Sequence, residues 1–254
     1  MSAEVHGLTE FYAGPLGRAA ERMIGARIAY LWPDAGRRDL LGLGWAAPYM
    51  NLWSGHGRRI LVTPQSAALN GAAAGTALAE DARLPLPDTC LDRILLVHAL
   101  ETSDAASGLL RECWRVLRHD GRLLVVVPNR LGVWAHFDHT PFGQGRPYSR
   151  GQVSRLLEQR LFRVARREAA LFVPPFPWRV LLGGAGLWDR MGRRLVRRLA
   201  GVMLIEAEKD LLAAVPVSGA PARRRVTAPL PSNYAVSVFG PGSQRPAASS
   251  RARA

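Results

Sequence analysis

Asp92–Val127 reads DRILLVHALETSDAASGLLRECWRVLRHDGRLLVVV. Its first seven residues, Asp92–His98, are apolar from Ile94 to Val97, which predicts a strand covered on both faces. Ala105–Arg118 then places Leu109, Leu110, Cys113, Val116 and Leu117 on one side of a helix. Arg122–Val127 is a second wholly apolar strand, stopped by Pro128-Asn129. Strand, helix and strand in that order predict parallel strands joined by a right-handed crossover. Upstream, Asp39–Gly44 (DLLGLG), Arg59–Thr63 (RILVT) and Thr76–Ala79 repeat the strand signal, and Pro48 is expected to open a short helix between the first two. Before them, Leu16, Ala20, Met23, Ile24, Ile28 and Leu31 recur at helical spacing, with Pro15 suited to a first turn and Pro33 and Gly36 as stops, so the first thirty residues read as helix. Downstream, Ser149–Gln159 reads as a helix, Phe162–Val173 as an extended segment, Trp178–Leu199 as helical and Val202–Ala207 as a last strand.

The chain has 254 residues, 48% hydrophobic and 21% charged, enough apolar sequence for a sizeable core. Apolar runs such as Ile94–Val97 and Leu123–Val127 are strand-sized, short of the roughly 18–20 residues that span a bilayer. No secretory signal is expected from a start carrying Glu4 and His6, and two cysteines, Cys90 and Cys113, exclude a disulfide framework or a thiolate metal cluster. These features point to a cytoplasmic protein. The net charge of +14 raises nucleic acid or an anionic surface as partners. However, Lys209 is the only lysine, and the arginines are scattered apart from Arg193, Arg194, Arg197, Arg198 and Arg223–Arg225, so charge favours no partner by itself. Three regions follow: a helical cap over residues 1–36, a main domain over 37–215 with a helical insertion near 174–200, and a Pro/Ser/Ala/Arg-rich tail over 216–254 that cannot bury enough apolar surface to order itself.

Three stretches carry a resemblance. Glu80–Glu101 (EDARLPLPDTCLDRILLVHALE) has an acidic residue ending strand three, a Leu-Pro-x-Pro-Asp turn and strand four. Leu110–Pro128 has an Arg-Val-Leu-x-x-x-Gly helix, turn and strand, and Pro128–Phe162 has an Asn after strand five, a loop and a helix. In this order they resemble the class I S-adenosylmethionine-dependent methyltransferases, in particular a generic small bacterial group. The resemblance implies a three-layer Rossmann-like α/β fold, with a mainly parallel seven-stranded sheet and helices on both faces. It also implies S-adenosyl-L-methionine bound beyond the carboxyl ends of the strands, where strand order reverses.

On that resemblance, Gly42, Gly44 and Ala46 lie along the glycine-rich turn after strand one, Thr63 ends strand two, Asp81 accepts from the adenine amine, and the Ala82 amide faces the ring. The turn is degenerate. The family's first carboxylate is replaced by Gly42, or by Leu40 if the glycines are aligned two residues earlier, and its second by Thr63 or Gln65. A small turn letting a strand enter a helix explains the glycines equally well. A helix N-terminus after it is expected to face the donor's carboxylate.

His98, with Glu101 three residues on, reads as a wall of the methyl-transfer site or a proton acceptor, and equally as a histidine satisfied by a neighbouring carbonyl. The loop Trp134–Arg150 carries His136, Asp138, His139, Arg146 and Tyr148. Of these, His136, His139 and Tyr148 are substrate-side candidates on a lid, while the alternative is a long connection held by its aromatic residues. No metal site is expected, because three neighbouring ligands without a distant partner make a poor tetrahedral set. Asp88 and Asp92 read as turn and strand-start residues. Phe176, Trp178, Leu187 and Trp188 suggest a cover over the site, and the arginines at 193–198 a basic helix face. The expected function is methyl transfer to a small-molecule acceptor. The alternatives are a catalytically inactive binding or regulatory protein on the same fold, and an RNA methyltransferase, which lacks a recognition module in this sequence.

Overall fold

The computed structural model describes residues 2–63, 76–78, 83–103, 105–137, 140–172 and 200–211. Within them the chain runs α1 (Ser2–Ala13), α2 (Pro15–Leu31), β1 (Leu40–Gly44), β2 (Arg59–Thr63), β3 (Thr76–Leu78), β4 (Leu91–Val97), α3 (Ala106–Val116), β5 (Leu117–Pro128), α4 (Arg150–Gln159), β6 (Phe162–Ala170) and β7 (Val202–Lys209). The strands form one sheet in the order β3-β2-β1-β4-β5-β7-β6. The pairs among β1 to β5 are parallel, and β7 runs antiparallel to both β5 and β6. Chain order reverses at β1, which lies between β2 and β4.

Every residue of β4 is buried, Asp92 and Arg93 included, and successive side chains of its apolar run Ile94–Val97 feed opposite cores. Leu95 and Val97 of β4 join Leu124 and Val126 of β5 beneath the N-terminal helices. Ile94 and Leu96 join Leu123, Val125 and Val127 against Leu109, Leu110, Cys113 and Val116 of α3 and Val153 and Leu157 of α4. The sequence motifs are also joined to one another. Arg115 of α3 donates to Leu84 O, Leu86 O, Asp88 and Glu112, and Glu112 accepts from the Leu84 amide at 3.0 Å. Thus the Leu-Pro-x-Pro-Asp turn is clamped onto the helix before β5. Asp92 is structural, accepting from the Asp39 amide at 2.8 Å and pairing with Arg118 at 2.6 Å.

Three expectations change. The first thirty residues form two helices, because Pro15 supplies no backbone donor and starts α2 afresh. Gly17 lets them approach, since a Cβ there would sit 2.1 Å from Phe11 O. Between β1 and β2 there is only a single 3-10 turn, Ala47–Tyr49, where a helix was expected from Pro48. β5 begins at Leu117, five residues before the predicted strand, with a register shift opposite Leu91 and Arg93. α4 starts as predicted, with Ser149 and Gln152 forming a reciprocal capping box. The predicted helix over Trp178–Leu199 and the tail from residue 216 lie outside the described residues. Among the described residues, no helix is long and apolar enough to cross a membrane.

Charged groups pin α2 to the sheet. Glu206 of β7 is fully buried and accepts from Trp32 Nε1 at 2.9 Å, Arg122 Nη1 at 3.1 Å and Arg166, which also donates to Leu31 O at 3.0 Å. Burial raises the Glu206 carboxyl, but the bonds from Arg166, Trp32 and Arg122 bring it below its ordinary value. Arg115 lowers Glu112 and Arg58 lowers Asp39 in the same way. A depressed folded pKa adds stability above the unfolded value, about 4 for these groups, and that contribution disappears as pH falls through the folded value. The melting temperature is therefore expected to hold above about pH 5 and to fall steadily below about pH 4. A thermal melt series from pH 7 to pH 2 checks this, and Glu206→Gln should flatten the acid slope.

Candidate functional site

The carboxyl ends of β1 and β4 meet at the point of strand reversal and interlock. Gly44 adopts φ +71°, and a Cβ there would lie 2.3 Å from Val97 O. Only glycine fits, and the next amide, Trp45 N, donates to that same carbonyl at 2.7 Å. β4 is followed directly by His98, whose φ is +53°, an uncommon value for a residue with a Cβ. The turn is held by Thr102 Oγ1, which donates to His98 O at 2.6 Å. This backbone turns the imidazole inward under α1 rather than along the strand.

His98 is 4% exposed, and both of its ring nitrogens are engaged. Nδ1 lies 2.8 Å from Glu101 Oε1 and Nε2 lies 3.0 Å from the Tyr12 hydroxyl. A carboxylate only accepts, so Nδ1 donates to Glu101, and in the neutral ring Nε2 is then left as the acceptor for the Tyr12 hydroxyl. Glu101 is also 4% exposed, and its Oε2 is buried without a hydrogen-bond partner.

Aromatic rings enclose the pair. Tyr12 stacks on Trp45 at 5.4 Å with an interplanar angle of 19°. Phe142 lies 5.1 Å from the His98 ring, and Phe11 stands edge-on to Tyr12, Trp134 and Phe142. Trp45 Nε1 is buried without an acceptor. Burial pushes the Tyr12 phenol well up, with Tyr49 and Glu101 adding to the effect, so Tyr12 stays a neutral O–H donor. A cavity of about 10 Å³, lined by Leu8, His98, Thr102, Pro141, Gln144 and Gly145, reaches the imidazole. It has room for one water molecule.

The other candidates fall in different places. Gly42 and Ala46 face each other in the core, because a Cβ on Gly42 would lie 2.8 Å from both Ala46 Cβ and Met50 Sδ. Both are tightly packed in the turn, and Gly44 lies at the sheet edge. Thr63 ends β2. Asp81 and Ala82 lie outside the described residues, as do Asp138 and His139. His136 spends Nδ1 on Gly132 O at 3.1 Å, a contact within its own 3-10 turn. Tyr148 donates to Leu100 O at 3.3 Å and its backbone bridges Asn129, so it anchors the loop to the edge of β4 and β5. No described hydrogen bond or ring contact joins His136 or Tyr148 to His98. The 3-10 turn Ala47–Tyr49 is too short to offer the helix N-terminus expected after β1.

Tyr12 and Trp45 were missed by the sequence reading. Each lies in a segment read for other reasons, a helical start and a glycine turn. Only the Phe11-Tyr12 doublet ahead of Gly14-Pro15 signalled that α1 ends on something aromatic.

A family profile described as a methyltransferase domain matches residues 42–125, about a third of the chain. The comparison with curated proteins gives no match. An S-adenosylmethionine-dependent methyltransferase of Thermotoga maritima superposes with a TM-score of 0.57 at 16% identity, covering 82% of this chain and 98% of that one. Another from Archaeoglobus fulgidus gives 0.54 at 18% identity, covering 74% and 94%. At such identities the likeness concerns the fold. The family profile bears out the methyltransferase-domain resemblance over residues 42–125, and the solved structures bear out the Rossmann-like fold expected from it.

Proposed function

We propose that the chain is an S-adenosylmethionine-dependent methyltransferase acting on a small-molecule acceptor, with His98 taking the acceptor's proton. The observation that carries this reading is the Glu101–His98 pair, buried at the carboxyl end of β4 with Glu101 Oε1 2.8 Å from Nδ1. A sulfonium donor supplies the methyl group, so the protein mainly positions the reactants and excludes water. The described residues fit the methionine end of such a donor. Gly44 keeps the β1 turn small, and the Trp45 indole N–H is an orphaned donor suited to a carboxylate. Asp81 and Ala82 are proposed for the adenine and Thr63 for the ribose, on the family resemblance alone. In the reaction, Glu101 holds the imidazole in one orientation and balances the positive charge it gains.

A second reading, a binding protein on the same fold without turnover, is favoured by the missing helix after β1 and by the closed ring of aromatics over His98. Calorimetric titration of the full chain with S-adenosylmethionine and S-adenosylhomocysteine separates the two. Binding that Asp81→Ala weakens about 10–100-fold, the worth of a hydrogen bond to a charged group, supports the methyltransferase. No heat at millimolar ligand supports the binding protein.

A further inference from the structure

We infer that the acceptor carries an aromatic hydroxyl, which binds on His98 Nε2 in the place the Tyr12 phenol fills here, with α1 giving way to admit it. This rests on the methyltransferase reading above. Glu101 fixes the imidazole so that Nε2 presents a lone pair, and the group that satisfies it at 3.0 Å is a phenol O–H. The ring bearing that hydroxyl is stacked on Trp45 and met edge-on by Phe11. His98 and Trp45, both outside α1, thus define the fixed side of a slot for one aromatic ring, with a proton acceptor at its end.

Two further observations mark this as a self-occupied site rather than settled core. Glu101 Oε2 and Trp45 Nε1 are both buried without a partner beside the slot, although buried polar atoms are nearly always paired. The cavity that reaches His98, lined in part by Leu8 of α1, holds about 10 Å³, too little for any acceptor. Entry therefore requires α1, which carries both Leu8 and Tyr12, to move.

The chemistry selects the acceptor class. A neutral amine attacks a sulfonium methyl through the lone pair it already has, whereas a hydroxyl gains nucleophilicity as its proton leaves. A base charge-balanced by a buried carboxylate serves the second case. The acceptor oxygen forms a bond to the methyl carbon while the carbon–sulfur bond breaks. Sulfur keeps that electron pair as the neutral thioether, and the hydroxyl proton passes to His98 Nε2, leaving imidazolium beside the Glu101 carboxylate.

Tyr12→Ala opens the slot with His98, Glu101 and Trp45 intact, and p-cresol and toluene probe it. Tryptophan fluorescence and the His98 imidazole ¹⁵N signals of the full chain read binding. At least about tenfold tighter binding of p-cresol, with the Nε2 signal moving, is the expected result, the size of one buried hydrogen bond. Equal binding of the two overturns the inference. Should Tyr12→Ala fail to fold, Tyr12→Val keeps an apolar side chain on α1 while removing the ring, and p-cresol should then shift the Nε2 signal where toluene does not; no shift with p-cresol overturns the inference. Wild-type protein is then given S-adenosylmethionine with p-cresol or p-toluidine. O-Methylation of p-cresol supports the inference, and methylation of p-toluidine alone overturns it while leaving the methyltransferase reading standing. Failure to bind S-adenosylmethionine removes that reading and the transfer step with it, independently of the cresol preference.

Discussion

His98→Gln is expected to lower kcat for methyl transfer to a hydroxyl acceptor by about 10²–10⁴-fold, the usual contribution of a positioned general base. Glutamine retains polarity and approximate volume but cannot take up a proton near neutral pH. The loss should fall on kcat, with the affinity for S-adenosylmethionine unchanged within about threefold, because the imidazole is engaged with Tyr12 and Glu101 rather than with the β1 turn. Glu101→Gln should cost less. Its amide oxygen still accepts from Nδ1, but the charge that balances the imidazolium is gone. Steady-state kinetics of both variants, with thermal melts to confirm folding, measures this. If His98→Gln kept kcat within about threefold, the proton would be leaving by another route and the role assigned to His98 would fall.

Glu206→Ala is expected to destabilise the fold by about 2–4 kcal/mol, lowering Tm by roughly 5–15 °C. The side chain is fully buried and accepts from Trp32, Arg122 and Arg166. Its loss leaves the Trp32 indole N–H unsatisfied in the core and opens a cavity. The two arginine side chains are 33% and 49% exposed, so they turn to water and add little. Glu206→Gln preserves an acceptor for Trp32 and should recover about half the loss. Denaturant titration of both variants gives the free energies, and a loss below about 1 kcal/mol for the alanine variant would mean the network is surface decoration. This network also reaches the site. Glu206 and Arg166 fasten Trp32 and Leu31 at the end of α2, and α2 follows directly from the helix that carries Tyr12.

The strands were legible in the sequence because a sheet covered on both faces needs unbroken apolar runs, and DRILLVH and RLLVVV admit few other uses. The Arg115 clamp explains why Leu-Pro-x-Pro-Asp and Arg-Val-Leu carry so much fold information: each motif supplies half of one hydrogen-bonded unit. The three-residue turn after β1 was not legible. Pro48 marks a helical start, but the interlock of Gly44 with Val97 and the packing of Gly42 on Ala46 decide how far it runs. Candidates chosen by chain position fared unevenly for the same reason. His98 stood out by sitting at the end of a strand, whereas the partners of Tyr148 and His136 are backbone carbonyls that no spacing reveals.

By itself the sequence determined which segments form the sheet and that its carboxyl edge holds a histidine followed three residues later by a glutamate. Those are properties of local periodicity and of neighbours along the chain. The tertiary structure alone decided that Tyr12, 86 residues before His98, donates to its Nε2 and lies on Trp45. Side chains on α1 and β4 share no pattern in sequence. They meet because apolar burial folds the α1–α2 hairpin over the point where strand order reverses, and the buried polar atoms there must find one another.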